Sequence, residues 1–281
     1  NSKKYILIFS TSYALSSFIL TNYFQIMWLD SYVLAPLILL GIDKIIKENK
    51  FILYCITLTL TIFINYYMGF IICFFCVFYF IYKSLINKTK LKNISTFLII
   101  SFLSGMMTMA TNFNAFMEII EFGRINKFET GFNTDFSKII SGLFIGNEME
   151  PVINFTYPRL YISILMVLLL FLYFINKKID KREKIISILS ILVFVLFMLF
   201  KPLNNIWHAF SSPIGFNFRY VFLINIFVIY LGYKSFEKIE HVSKIYYLLF
   251  IYIFLIFSII IYITKTNTIL FIILSLVISI I

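Results

Sequence analysis

The sequence predicts an all-α protein, a polytopic bundle of transmembrane helices. Three observations carry this. First, 61% of the residues are hydrophobic and 13% are charged, and Phe and Tyr together supply 54 of 281 positions. A soluble domain holds about 45–50% apolar and about 25% charged residues, so polar side chains are too few to coat a water-soluble globule. Second, the apolar residues fall in long runs. Third, Lys and Arg gather in short clusters between those runs. The same features exclude a disordered chain and a collagen-like fibre. They also exclude a disulfide scaffold, since the three Cys lie in or beside apolar runs without a framework pattern.

The runs predict about ten spans: 5–22, 32–47, 51–65, 67–82, 94–111, 160–176, 185–200, 217–233, 245–263 and 269–281. Their internal polar groups are mostly Ser, Thr, Tyr and Asn, which a helix tolerates in lipid because its own backbone bonds are satisfied. The stretch 51–82 needs a decision. As one helix it would be about 48 Å long at ~1.5 Å per residue, too long for a ~30 Å hydrocarbon core without steep tilt. As two helices it turns at Asn65-Tyr66-Tyr67-Met68-Gly69. The run 269–281 is shorter than the ~20 residues a span needs, and residue 1 is Asn. The expectation is a single transmembrane domain over 1–281 that is a piece of a longer chain, truncated at both ends.

Charge decides between the two readings of 51–82, because Lys and Arg collect on the cytoplasmic side. With the hairpin and an inner N-terminus, 17 of the 24 basic residues face the cytoplasm and 7 face out. Fusing 51–82 into one helix gives 12 on each side. The hairpin wins and fixes which loops face out. The formal net charge of +11 is then the basic inner loops that orient the chain against anionic lipid heads. These clusters are short, scattered and tied to span ends, so nucleic acid is not expected as a partner.

The outward loops hold the unusual residues. Over 112–159, Phe113, Phe116, Met117 and Ile120 recur at helical spacing, as do Phe136, Ile139, Ile140, Leu143 and Phe144 after Thr134 or Asp135. They predict two interfacial amphipathic helices, at 113–121 and 135–145, either passive anchors or a wall over a lipid-facing site. Asp30, beside Trp28, is either an acid at a helix start that complements the dipole or a carboxylate able to bind hydroxyls or accept a proton. Arg219 opposes the orientation rule. It either snorkels to lipid phosphates or offers its guanidinium fork to the phosphate of a lipid-linked donor. His208 is either its hydrogen-bonding helper or an interfacial ring. The sequence has no P-loop, no dinucleotide fingerprint and no HExxH, and no cofactor or metal is expected. Cys73-x-x-Cys76 lies in an apolar run far from any His. Asp43 and Lys44 fall in the last turns of the second span, so no firmly buried ionisable group is expected inside the spans. That weakens a reading as an ion-coupled carrier.

Met27-Trp28-Leu29-Asp30, Pro36-Leu37-Ile38-Leu39-Leu40-Gly41-Ile42 and Asn65-Tyr66-Tyr67-Met68-Gly69-Phe70-Ile71-Ile72-Cys73 resemble the bacterial YfhO family of multi-spanning membrane proteins. Trp207-His208 and Phe216-Asn217-Phe218-Arg219-Tyr220 are similar to a later outer loop of that family. The resemblance implies a GT-C-type glycosyltransferase in the bacterial cytoplasmic membrane. Such an enzyme takes a sugar from a polyprenyl-phosphate carrier and passes it to an extracytoplasmic acceptor, a cell-wall polymer such as lipoteichoic acid. The general base of such enzymes lies in the first outer loop, so the principal catalytic acid is expected before residue 1. Asp30 is then a candidate in a supporting role, and Arg219 with His208 the donor-phosphate contacts. A lipid or polymer flippase and a non-catalytic membrane scaffold are the competing functions.

Overall fold

The computed structural model describes residues 2–121, 130–144, 157–213 and 215–263. Helices dominate these residues, which contain no strand beyond an isolated bridge between Phe132 and Phe200. The chain resolves into two compact units. The first comprises 1–22, 130–204 and 213–281, and the second 23–129 and 205–212.

The second unit is built from α3 (Ile26–Glu48), α4 (Ile52–Ile64), α5 (Tyr66–Asn87) and α6 (Leu91–Glu121). It follows α1 (Ser2–Ala14) and α2 (Ser17–Asn22) of the first unit. The expected hairpin at 51–82 is present. Asn65 takes an extended conformation, φ −148° and ψ 102°, and its Oδ1 accepts the Met68 N–H at 3.0 Å, which ends α4 and caps α5 at one residue. Ile62 meets Gly69, and Tyr54 meets Cys76, so α4 and α5 run antiparallel. Gly41 is required for the α3–α4 contact, since a Cβ there would lie 2.7 Å from the backbone of Tyr54. Asn49 ends α3 in the left-handed region, with its N–H on the Ile45 carbonyl and the Lys50 N–H on that of Lys44, an αL closure.

Three expectations change here. The second span begins at Ile26, not at residue 32, so Trp28 and Asp30 lie inside α3. Asp30 is exposed, and an acid on an exposed helix side does not stop a helix. The stretch 113–121 is no separate interfacial helix but the end of the 31-residue α6. No Gly or Pro interrupts 106–121, so nothing in the backbone breaks it. Lys83, 5% exposed, lies inside the unit: its Nζ reaches Asp43 at 3.0 Å, and the Tyr79 hydroxyl donates to the same carboxylate at 3.2 Å. The helices therefore do hold a buried lysine paired with a half-buried acid.

The first unit contains α1, α2, α7 (Phe136–Ser141), α8 (Ile164–Ile175), α9 (Lys181–Leu199), α11 (Val221–Phe236) and α12 (Ile245–Ile263). The six-residue helix α10 (Lys201–Ile206) precedes α11. The expected helix at 135–145 survives as the short α7. Its Ile139, Ile140 and the following Phe144 are buried, and Phe144 stacks on Phe254 of α12 at 4.5 Å. Its apolar side meets protein rather than lipid. The segments 122–129 and 145–156 of the long loop lie outside the described residues. A second acid–lysine pair joins α9 to α11: Lys234 Nζ lies 2.5 Å from Glu183 Oε1, which also accepts the Tyr173 hydroxyl at 3.0 Å.

Four helical stretches are long and apolar enough to cross a membrane: Tyr5–Asn22, Ile26–Glu48, Tyr66–Asn87 and Leu91–Asn114. Four shorter apolar helices accompany them: Ile52–Ile64, Ile164–Ile175, Val221–Phe236 and Ile245–Ile259. Ten full spans is thus an overcount among the described residues, because several apolar runs end in helices of 12 to 16 residues. The run 269–281 lies outside those residues.

Candidate functional site

The Trp207-His208 segment belongs to the second unit. After α10 the chain turns tightly: the His208 and Phe210 N–H groups both donate to the Asn205 carbonyl, and Ala209 and Phe210 take φ of 54° and 60°. Two successive left-handed residues without a glycine are uncommon and strained. The turn drives two side chains inward. Trp207 is fully buried and meets the Phe74 ring edge-on at 4.7 Å. His208 is 3% exposed, and its Nδ1 shares a 2.5 Å hydrogen bond with the hydroxyl of Tyr67 in the first turn of α5. The two rings stack, with centroids 6.2 Å apart. His208 is therefore no lipid-facing interfacial ring but a buried group held by a phenol.

Beside this pair lies a cavity of about 290 Å³. Its wall is mostly apolar, and its lining includes Ile62, Tyr67, Phe70, Cys73, Met109 and Ala209. Asp30 is on α3 of the same unit, one turn in from Gln25 and exposed, while neighbouring Trp28 is buried. Asn65 ties the start of α3 to the α4–α5 tip by donating from Nδ2 to the Met27 carbonyl at 3.1 Å. Cys76 is buried and Cys73 half-buried; both are free thiols. Among the described residues, no group of three or more His, Cys, Asp or Glu is arranged to hold a metal ion.

Arg219 lies in the first unit, in the segment that leads into α11. Its Nη2 donates to the Gly215 carbonyl at 3.4 Å, and its guanidinium sits 5.8 Å from the centre of the Phe216 ring. It is partly exposed. The adjoining Tyr220 is fully buried and donates its hydroxyl to Asn204 Oδ1 at 2.9 Å, which fixes the start of α11. Arg159 is a residue that sequence reasoning passed over: it is 4% exposed, and its carbonyl accepts the buried Asn225 amide of α11 at 3.3 Å. Its signal in the sequence was its place among the few outward basic residues, immediately before an apolar run.

This is an α-helical membrane protein with several helices long and apolar enough to cross a bilayer. The chain belongs to the YfhO family: the family model described as bacterial membrane protein YfhO matches residues 1–281. Comparison with curated proteins finds no match, and comparison with solved structures finds none either.

Proposed function

We propose that this YfhO-family protein is a membrane glycosyltransferase that moves a sugar from a polyprenyl-phosphate carrier to an acceptor outside the cytoplasmic membrane, a cell-wall polymer of the lipoteichoic-acid type. The observation that carries the proposal is the buried His208 bonded to the half-buried Tyr67 beside an apolar cavity. Burying a polar group costs free energy unless a hydrogen bond compensates, and here the imidazole and the phenol satisfy each other. An imidazole and a phenol next to an apolar space match an amphiphile with a phosphate head.

Sugar transfer needs a cation or dipole for the phosphate that leaves and a carboxylate for the acceptor hydroxyl. Arg219 is assigned the phosphate: its guanidinium is permanently charged and forks toward two oxygens. His208, in the second unit, is a separate candidate hydrogen-bonding group for a lipid-linked donor. Asp30, exposed near the start of α3, binds acceptor or sugar hydroxyls in a supporting role.

The test uses membranes holding the full-length protein, a polyprenyl-phosphate-linked radiolabelled sugar and the acceptor polymer. Arg219→Ala is expected to lower sugar incorporation roughly 10²–10³-fold, the usual loss when one charge-stabilising donor is removed, with unchanged expression. Wild-type incorporation in that variant removes Arg219 from the phosphate.

A further inference from the structure

We propose that the first unit carries a binding site for an organic ammonium group, set between α1 and the lysine-rich end of α11. The ligand is a cation, unlike the anionic sugar donor, and the site stands whether or not the protein transfers a sugar.

A cavity of about 390 Å³ lies there, lined by Tyr5 and Ile6 of α1, Tyr233 and Phe236 of α11, and Glu237 and Glu240 just beyond it. Sequence spacing builds its aromatic wall. Tyr5 and Phe9 are four residues apart on α1, and Tyr233 and Phe236 are three apart on α11, so each pair shares a helix face. The Tyr5 and Phe236 rings lie 4.7 Å apart at 56°. The buried Phe9 meets Tyr233 at 5.3 Å and Phe236 at 5.7 Å, both edge-on, and so fixes the corner. The acids are placed by the way α11 ends. The Glu237 N–H still donates to the Tyr233 carbonyl, and the short 3₁₀ turn Ile239–His241 brings Glu240 to the same cavity.

Rings and carboxylates in one cavity select a cation of a particular kind. The face of an aromatic ring attracts an ammonium group within about 6 Å, and the two carboxylates supply the opposite charge. Tyr233 hydrogen-bonds Glu237, which holds that carboxylate beside a ring. The charge is kept for a ligand. The chain has 24 basic and 13 acidic residues, and its acids meet lysines elsewhere, as Asp43 meets Lys83, Glu183 meets Lys234 and Glu48 meets Lys50. Here the lysines of the same segment are engaged away from the cavity: Lys234 with Glu183 of α9, and Lys238 with the Lys178 carbonyl at 3.1 Å. Among the described residues no lysine pairs with Glu237 or Glu240. A bare metal ion fits the site poorly, because no third His, Cys, Asp or Glu joins these two among the described residues and a metal makes no use of the rings. A small organic cation uses both, its methylenes against the rings and its ammonium on the acids. Ile6 and Leu7 on α1 are exposed and apolar, so the cavity opens beside a surface suited to lipid. The ammonium of a lipid head and that of a soluble amine present the same chemistry to it.

The experiment uses the purified full-length protein in a nonionic detergent, a short alkylamine carrying a diazirine, the matching alcohol as a neutral probe, and mass-spectrometric mapping of the labelled peptides. The amine is expected to label the 5–9 and 233–240 segments saturably, and the alcohol is not. Glu237→Gln with Glu240→Gln is expected to lower that label roughly fivefold, as for two exposed ion pairs. Tyr5→Leu should lower it roughly threefold, as for one exposed cation–π contact. All three positions are exposed, melting temperature checks that each variant is folded, and either variant suffices alone. Competition separates the sources. Displacement by free ethanolamine alone assigns a soluble amine, and displacement by phosphatidylethanolamine but not by phosphatidylglycerol assigns a lipid head. Displacement by both amines keeps the site for the ammonium group itself. Displacement by neither, equal label from the alcohol, label elsewhere, or full label in a folded variant overturns the site. The full chain keeps Lys3 and Lys4 ahead of Tyr5, so a cavity satisfied by the chain's own ammonium groups gives no saturable label and overturns it as well.

Discussion

His208 is buried because Tyr67 receives it, and the consequence is testable at one atom. Tyr67→Phe keeps the ring that lines the cavity and removes the hydroxyl from the imidazole. Side-chain hydrogen bonds between helices in membrane proteins are worth about 0.6–1.7 kcal/mol, so the melting temperature of purified protein should fall modestly. Donor affinity should weaken more visibly, read as a raised KM for the lipid-linked sugar, since the imidazole loses its orientation. A KM equal to wild type would reduce the pair to packing. The legibility of single residues follows the same physics. Asn65 was legible as a turn because its cap bond reaches only three residues ahead. The burial of His208 was not, because its partner is 141 residues away. Asp30 was noticed for its charge, yet the sequence said nothing of its exposure, which is set by which side of α3 faces its neighbours.

Elements show where pattern runs out. Apolar runs locate every long helix described, and the hairpin at 51–82 follows from charge counting alone. The pattern failed where an element is closed by something distant. The continuation of α6 through Glu121 was hidden by the polar residues Asn112 and Asn114. The pairing of Asp43 with Lys83 was hidden by a separation of 40 residues. That pair fastens α3 to α5 at the end opposite the Tyr67 tip. Lys83 and Asp43 side chains are 6% and 20% exposed, so removing one partner leaves a nearly buried charge. Lys83→Met alone is expected to destabilise the second unit by about 3–5 kcal/mol, whereas Asp43→Leu with Lys83→Met should recover most of the loss. Thermal melts of the single and double variants in the same detergent give the coupling. A double variant no better than the single would show that the Tyr79 bond to Asp43, or the shape of the site, matters more than charge.

At the scale of the whole molecule the functional reading depends on sidedness. Within the second unit α5 runs 22 residues, about 33 Å at ~1.5 Å per residue, enough to cross the hydrocarbon core. Its two ends are unlike. One carries Tyr67, to which His208 bonds, and the other holds Lys83 and leads to Lys88 and Lys90. If basic residues stay on the cytoplasmic side, the His208 end faces out, where a carrier's head can meet a polymer that never enters the cell. The prediction uses a variant in which Cys55, Cys73 and Cys76 are replaced by Ala and one new thiol is introduced. Ala209→Cys puts it on an exposed residue beside His208, and Lys90→Cys puts it on an exposed residue past the far end of α5. In intact cells a membrane-impermeant maleimide should label the first and spare the second, and permeabilisation should add the second. The reverse pattern would place the Tyr67 end in the cytoplasm. A lipid-linked donor could still bind there, but the acceptor would have to be a cytoplasmic molecule, and transfer to an extracellular polymer would no longer be a chemistry this fold can perform.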